Sequence, residues 1–272
     1  MANCDHNCEN CSQKCDKKDF IIHTNKYSKI RKTIGIVSGK GGVGKSLVTS
    51  MLAVSSAKLG YKTCILDGDI LGPSIPKAFG VTQKAYGDET GKHIYPANSS
   101  LDIDIISSSM LLENEDDPII WRGSMVSNIV KQFYSDVIYG EQDIMFIDMP
   151  PGTGDVPLTI FQSIPLDGIV IVTSPQDLVS MIVEKAVKMA HMMNIPILGI
   201  VENYSYIVCP DCNKKIKVFG ESKVKEKAKQ HNIKHVISLP IDPKIATLCD
   251  EGKIEKFDET YFDLLIKDVF NK

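Results

Sequence analysis

The chain has 272 residues, 43% of them hydrophobic, and a formal net charge of −3, enough for one large domain with a substantial core. That charge, with lysines scattered and no long basic run, argues against a nucleic-acid face. No stretch approaches the length of a membrane-spanning helix and the N-terminus lacks an apolar signal core, so neither a membrane nor a secretory role is expected, and the expected setting is cytoplasmic.

Residues 1–25 are polar, carry no helical or strand period, and hold four of the eight cysteines: Cys4, Cys8, Cys11 and Cys15. Their spacing, three, two and three residues between sulfurs, is near the ferredoxin run but not identical to it. Four thiols in one chain can close a site locally, so this segment reads as an extension ordered only if its cysteines bind something, an iron–sulfur cluster first and zinc second, with no metal as the remaining alternative. His6 is a possible substitute ligand.

A strand is predicted over 34–38, followed by Gly39-Lys40-Gly41-Gly42-Val43-Gly44-Lys45-Ser46 and a helix over 45–59. This is the P-loop pattern. Glycines without Cβ atoms let backbone N–H groups converge on phosphate oxygens, and the helix dipole adds positive potential at the same spot. Lys45 is placed to reach the β- and γ-phosphates of ATP, and Ser46 to hold Mg²⁺. A second lysine, Lys40, stands directly after the first glycine, where a cation can act on a phosphate held by another subunit. With it the loop resembles that of the deviant P-loop ATPases (the MinD, ParA and nitrogenase iron protein group), whose signature lysine occupies this position. The resemblance implies an ATP-dependent homodimer.

The next strand, 63–67, ends in Asp67-Gly68-Asp69. Two acids after a buried strand can organise the water shell of Mg²⁺ and position an attacking water. The run Asp67 to Pro76 closely resembles switch I of the Mrp/ApbC family. That resemblance implies Asp69 for the catalytic water and Asp67 for the Mg²⁺ neighbourhood. Residues 80–100 read as a loop or small excursion, then a strand over 103–107. The stretch Trp121 to Met125 resembles the same family, with Ser124 where a proline is usual, and precedes a helix over 123–139. A strand over 144–148 ends in Asp148, the Walker B position near Mg²⁺. The string from Asp148 to Asp155 that follows resembles the family's switch II.

A helix over 156–163, a strand over 168–173 apolar on both faces, a helix over 178–193 and a strand over 197–202 continue the alternation. Asn203 follows, and the resemblance implies it as an adenine contact. Cys209-Pro-Asp-Cys212 then offers two thiolates. Sulfur-bound clusters and structural zinc use four ligands, so this is half a site that a two-fold dimer would complete. Zinc at the same four thiols and a redox pair are the alternatives. The family resemblance implies a bridging, transferable [4Fe–4S] cluster, and likens the N-terminal cysteines to the cluster segment of cytosolic scaffold members. A helix over 221–230, a strand over 236–239 and a helix over 259–270 complete the prediction. Cys64 and Cys249 read as small core residues.

The expected fold is α/β, a doubly wound, mostly parallel sheet of the P-loop NTPase kind, over residues 26–272 behind the cysteine-rich extension. The expected function is an ATPase that carries an iron–sulfur cluster and delivers it to apoproteins. Its rivals are a MinD- or ParA-like positioning ATPase, which wants a basic amphipathic tail where 258–272 is mixed in charge, and a zinc-stabilised nucleotide-switched interaction module.

Overall fold

The computed structural model describes residues 21–88, 93–112, 123–152, 154–175 and 179–271. Cys4, Cys8, Cys11, Cys15 and Trp121 lie outside the described residues. In chain order the elements are β1 (Lys29–Ser38), α1 (Lys45–Lys58), β2 (Thr63–Asp67), α2 (Ile75–Phe79), β3 (Tyr86–Gly87), β4 (Ile94–Tyr95), β5 (Ala97–Asn98) and β6 (Asp104–Ile106). They continue with α3 (Gly123–Ser135), β7 (Glu141–Asp148), α4 (Asp155–Ser163), β8 (Gly168–Thr173), α5 (Val179–Met192), β9 (Ile197–Val208) and β10 (Lys215–Ile216). The last are α6 (Val224–Gln230), β11 (His235–Pro240), α7 (Pro243–Asp250) and α8 (Asp263–Phe270).

Seven strands run parallel in the order β11-β9-β8-β1-β7-β2-β6, with β5 antiparallel on the far edge and β10 paired antiparallel to the end of β9. Alternation along each strand divides two cores. Ile144 and Phe146 of β7 face α1, α2, α7 and α8, while Met145 and Ile147 face α3, α4, α5 and α6. All six residues of β8 are buried, as expected for a strand covered on both faces. From β1 the chain runs out to β2 and β6, returns to β7 between β1 and β2, and then continues on the other side through β8, β9 and β11, so the carboxyl ends of β1, β7 and β2 meet where the winding reverses. Ligands in such sheets sit there.

The structure differs from the sequence reading at several edges. Residues 21–28, part of which the sequence groups with the appendage, are tied to the body: Ile22 N–H donates to the Ser163 carbonyl (2.8 Å) and the Asn25 amide to Ser135 (3.0 Å) and Val137 (2.8 Å). The excursion at 80–100 holds the β3–β4 hairpin and the edge strand β5. α3 stops at Ser135, although its apolar pattern continues, and the backbone beyond it is taken up elsewhere: Ile138 N–H donates to the Ile94 carbonyl (2.8 Å) and the Val137 carbonyl accepts from the Asn25 amide (2.8 Å).

Candidate functional site

β1 ends at Ser38 and α1 begins at Lys45; the P-loop between them turns on two left-handed glycines, Gly42 (φ +76°) and Gly44 (φ +81°). A Cβ built on Gly41 or Gly42 meets no protein atom, so the loop presents bare backbone to open space on that side. At Gly44 the reverse holds: a Cβ there would lie 2.2 Å from Asn203 Nδ2. Gly44 is therefore required by a close approach and by its backbone, while Gly41 and Gly42 leave room for a ligand. Lys40 is partly buried on the same loop. The cleft beside it, about 340 Å³, is lined among others by Gly41, Gly42, Lys45, Ser46, Asp69 and Tyr204.

The parallel register places Asp67 beside Asp148, and Asp148 beside Ile36, at one level of the sheet. Lys45 reaches across with its ammonium 2.8 Å from Asp148 Oδ2 and 3.6 Å from Asp69 Oδ2. The Ser46 hydroxyl donates to Asp148 Oδ2 (2.6 Å) and the Thr49 hydroxyl to Asp148 Oδ1 (2.8 Å). Asp67 lies behind, accepting from the Ser107 hydroxyl (3.0 Å) and the Asp69 N–H (3.3 Å). Burial, reinforced by the charge of Asp148 and opposed by Lys45, pushes the Asp67 carboxyl up to about 8. Burial also raises Asp69, with Lys45 opposing. A hydroxyl and a carboxylate at the head of a P-loop are oxygen ligands that fit Mg²⁺, and the lysine beside them fits phosphate oxygens.

The loop after β7 closes the site from above. Met149 N–H donates to the Ile36 carbonyl (3.1 Å), Gly152 N–H to Ser38 (2.8 Å), and Pro151 lines the cleft. Asn203 sits beneath the P-loop, 2% exposed. Its Nδ2 donates to the Val43 carbonyl (3.1 Å) and its Oδ1 accepts from Tyr204 N–H (3.0 Å), so both ends of the amide are engaged. Sequence reasoning did not single out Thr49, Ser107 or Tyr204. Thr49 stands one helical turn past Lys45, the signal that could have found it; Ser107 and Tyr204 needed the sheet.

The second site lies on a projection. β9 continues past the sheet edge and pairs with β10 through Ile207–Ile216 and Val208–Lys215, leaving Cys209 to Lys214 as the turn. Cys209 N–H donates to Lys214 (3.0 Å), Asn213 N–H to Cys209 (2.9 Å), and Asn213 takes the left-handed φ of 56°. Within this knuckle the backbone N–H groups of Cys212 and Asp211 point at Cys209 Sγ and hold its thiol below the ordinary range, favouring thiolate. Cys212 is exposed. Among the described residues, no three His, Cys, Asp or Glu side chains gather as a metal site, so the knuckle supplies two ligands. Burial pushes Cys64 well up and Cys249 to about 11, which leaves both as unreactive thiols apart from this knuckle.

The ParA family model, described as "NUBPL iron-transfer P-loop NTPase", matches residues 29–271. The chain is 45% identical over 237 residues to the "Iron-sulfur cluster carrier protein" of Clostridium perfringens, covering 85% of this chain and 83% of that one. To the protein of the same name from Methanocaldococcus jannaschii it is 44% identical over 264 residues, covering 93% and 90%. Among solved structures, a nucleotide-binding protein of Archaeoglobus fulgidus in complex with ADP superposes with a TM-score of 0.78 at 39% identity, covering 87% of this chain and 92% of that one. The cell division ATPase MinD of Pyrococcus furiosus superposes at 0.60 with 18% identity, covering 88% and 97%, a likeness of fold.

Proposed function

Because the chain belongs to the NUBPL iron-transfer branch of the ParA P-loop NTPases, we propose that it is an ATPase that carries an iron–sulfur cluster and delivers it to apoproteins. The observation that carries this reading is one strand joining two sites: β9 passes under the P-loop at Asn203 and ends in the knuckle of Cys209 and Cys212.

Gly39 to Ser46 would hold ATP phosphates through backbone N–H groups and Lys45. Ser46 and Asp148, with Asp67 behind, would hold Mg²⁺, which supplies positive charge to the phosphate oxygens. Asp69 faces the cleft and would orient the attacking water. Lys40 would act on the nucleotide of a second copy, and Asn203, beside the P-loop, would border the base. Two knuckles, one from each copy, would hold a [4Fe–4S] cluster as cargo through four thiolates. The recipients are apoproteins. Neither nucleic acid nor membrane enters this reading, and a cytoplasmic setting suits cargo held on reduced thiolates. Cys4, Cys8, Cys11 and Cys15 would hold a second cluster.

The test is anaerobic cluster reconstitution with iron, sulfide and zinc counted per chain. Cys209→Ala/Cys212→Ala should lose the shared cluster, and a deletion of residues 1–20 should keep it. Cys209→Ala/Cys212→Ala placed in the deletion background should lose the iron that the deletion alone keeps; retention of that iron would overturn the carrier reading, and zinc without sulfide would replace the cargo by a structural metal.

A further inference from the structure

At the sheet edge β9 carries Glu202, Asn203 and Tyr204 in succession, and each is bound to a different part of the molecule. Asn203 holds the P-loop: its Nδ2 donates to the Val43 carbonyl (3.1 Å), and the absent Gly44 side chain leaves that nitrogen in direct contact with the loop backbone. Neither can move alone. Tyr204 lines the nucleotide cleft and has a left-handed φ of 60°, which a tyrosine keeps only when its surroundings hold it. Glu202, 4% exposed, accepts from the Ser205 hydroxyl on Oε2 and the Ser222 hydroxyl on Oε1. Ser222 belongs to the limb that returns from β10, and its own oxygen accepts from Val224 N–H (3.1 Å) where α6 begins. A buried carboxylate held by two hydroxyls is a costly way to fill a core. Its distinctive effect is to latch the returning limb of the cysteine hairpin to the residue beside Asn203.

We propose that Glu202 is a positioning residue in a mechanical link, Val43–Asn203–Glu202–Ser222, that couples occupancy of the P-loop to the geometry of Cys209 and Cys212. A nucleotide that shifts Val43 and Gly44 shifts Asn203 through that contact, and Asn203 passes the displacement along the chain on both sides: through the left-handed Tyr204 into the outgoing strand of the hairpin, and through Glu202 and its latch to Ser222 into the returning limb. This route is separate from Asp69, Ser74 and Pro151, which line the cleft directly. It rests on the carrier reading only for what the knuckle holds. By linkage, a metal at the knuckle changes nucleotide affinity by the factor with which nucleotide changes metal affinity.

The experiment reads the thiols themselves. Rates of iodoacetamide alkylation of Cys209 and Cys212 are followed by peptide mass spectrometry on the reduced, full-length, cluster-free protein, with and without saturating MgADP. In the wild type the nucleotide should change the rate by about fivefold or more. Ser222→Ala should bring that ratio to within about twofold of unity while binding MgADP as the wild type does, and Ser222→Thr, which keeps the hydroxyl, should restore it. Glu202→Gln serves if Ser222→Ala loses its cooperative thermal transition. An alkylation rate indifferent to MgADP in the wild type overturns the proposal, and so does a full response in Ser222→Ala. Failure of the carrier reading has a different signature: thiols that answer to nucleotide but retain no iron.

Discussion

Three carboxylates share one ammonium at the heads of β2 and β7: Lys45 is 2.8 Å from Asp148 and 3.6 Å from Asp69, with Asp67 fully buried behind. All three ionised would leave excess negative charge in a dry site, so Asp67 keeps its proton up to about pH 8. The unfolded chain loses that proton near pH 4. The folded state therefore binds more protons between these values, and this group's effect is to lower stability as pH rises through the window. Asp67→Asn, neutral and of the same shape, should stabilise the protein by on the order of 1–3 kcal/mol at pH 8 and above, and change little near pH 4, in urea titrations across pH. A divalent cation in the site drives the same proton off. MgADP affinity should rise with pH up to about 8 and level beyond it, with calorimetric heats that depend on the buffer's ionisation enthalpy. Lys45→Met removes the shared cation from among buried acids; it should abolish nucleotide binding and cost about 3 kcal/mol at neutral pH, less as the carboxylates take up protons. That Lys45, Ser46, Asp69 and Asp148 gather at one place was legible in the sequence, because a P-loop and the acids that end β2 and β7 come to the same edge of a parallel sheet. The raised Asp67 was not, because it depends on Ser107, Asp148 and burial, which only the parallel register brings together.

Elements were legible where one force shaped them. β2 and β8, buried on both faces, coincide with the predicted 63–67 and 168–173. α2 and α7 were not predicted; Pro76 and Pro243 stand in the first turn of these helices, where a missing N–H is harmless. β9 was predicted to stop at 202 and runs to Val208, since its last residues leave the sheet for a hairpin of their own. That hairpin depends on its turn. Asn213 holds a φ of 56°, open to glycine and costly for a β-branched residue. Asn213→Gly should keep the knuckle, while Asn213→Val should strain it by roughly 1–2 kcal/mol and turn the N–H groups of Asp211 and Cys212 away from Cys209. The pH profile of Cys209 alkylation checks this. Its midpoint should lie below that of an ordinary thiol, about 8.5, in wild type and Asn213→Gly, and move up in Asn213→Val.

Across the whole molecule, the described residues of one chain line the nucleotide cleft, while the knuckle offers two of the four sulfurs that a cluster or zinc takes from protein. The three-layer sheet was legible from alternating strands and helices, but a shared site is visible only in what one copy lacks. Around the knuckle Ile207, Val208, Ile216, Val218 and Phe219 are 37–51% exposed, apolar surface of the kind that a two-fold contact covers. Two independent clamps should therefore hold the same pair of chains. Metal-loaded protein should show twice the chain mass by light scattering, and Cys209→Ser/Cys212→Ser should return it to one chain in the absence of nucleotide. MgATP should favour the pair without metal, and Lys40→Ala should weaken that effect while leaving the metal-held pair intact, because the lysine stands at the P-loop and the thiols stand at the end of the hairpin. If either substitution abolished both modes of association, the two contacts would be one, and the cleft and the knuckle could not be loaded in turn. Separate losses would show that each chain meets its copy twice, once at the phosphates and once at the sulfurs, leaving β9 to set one contact according to the other.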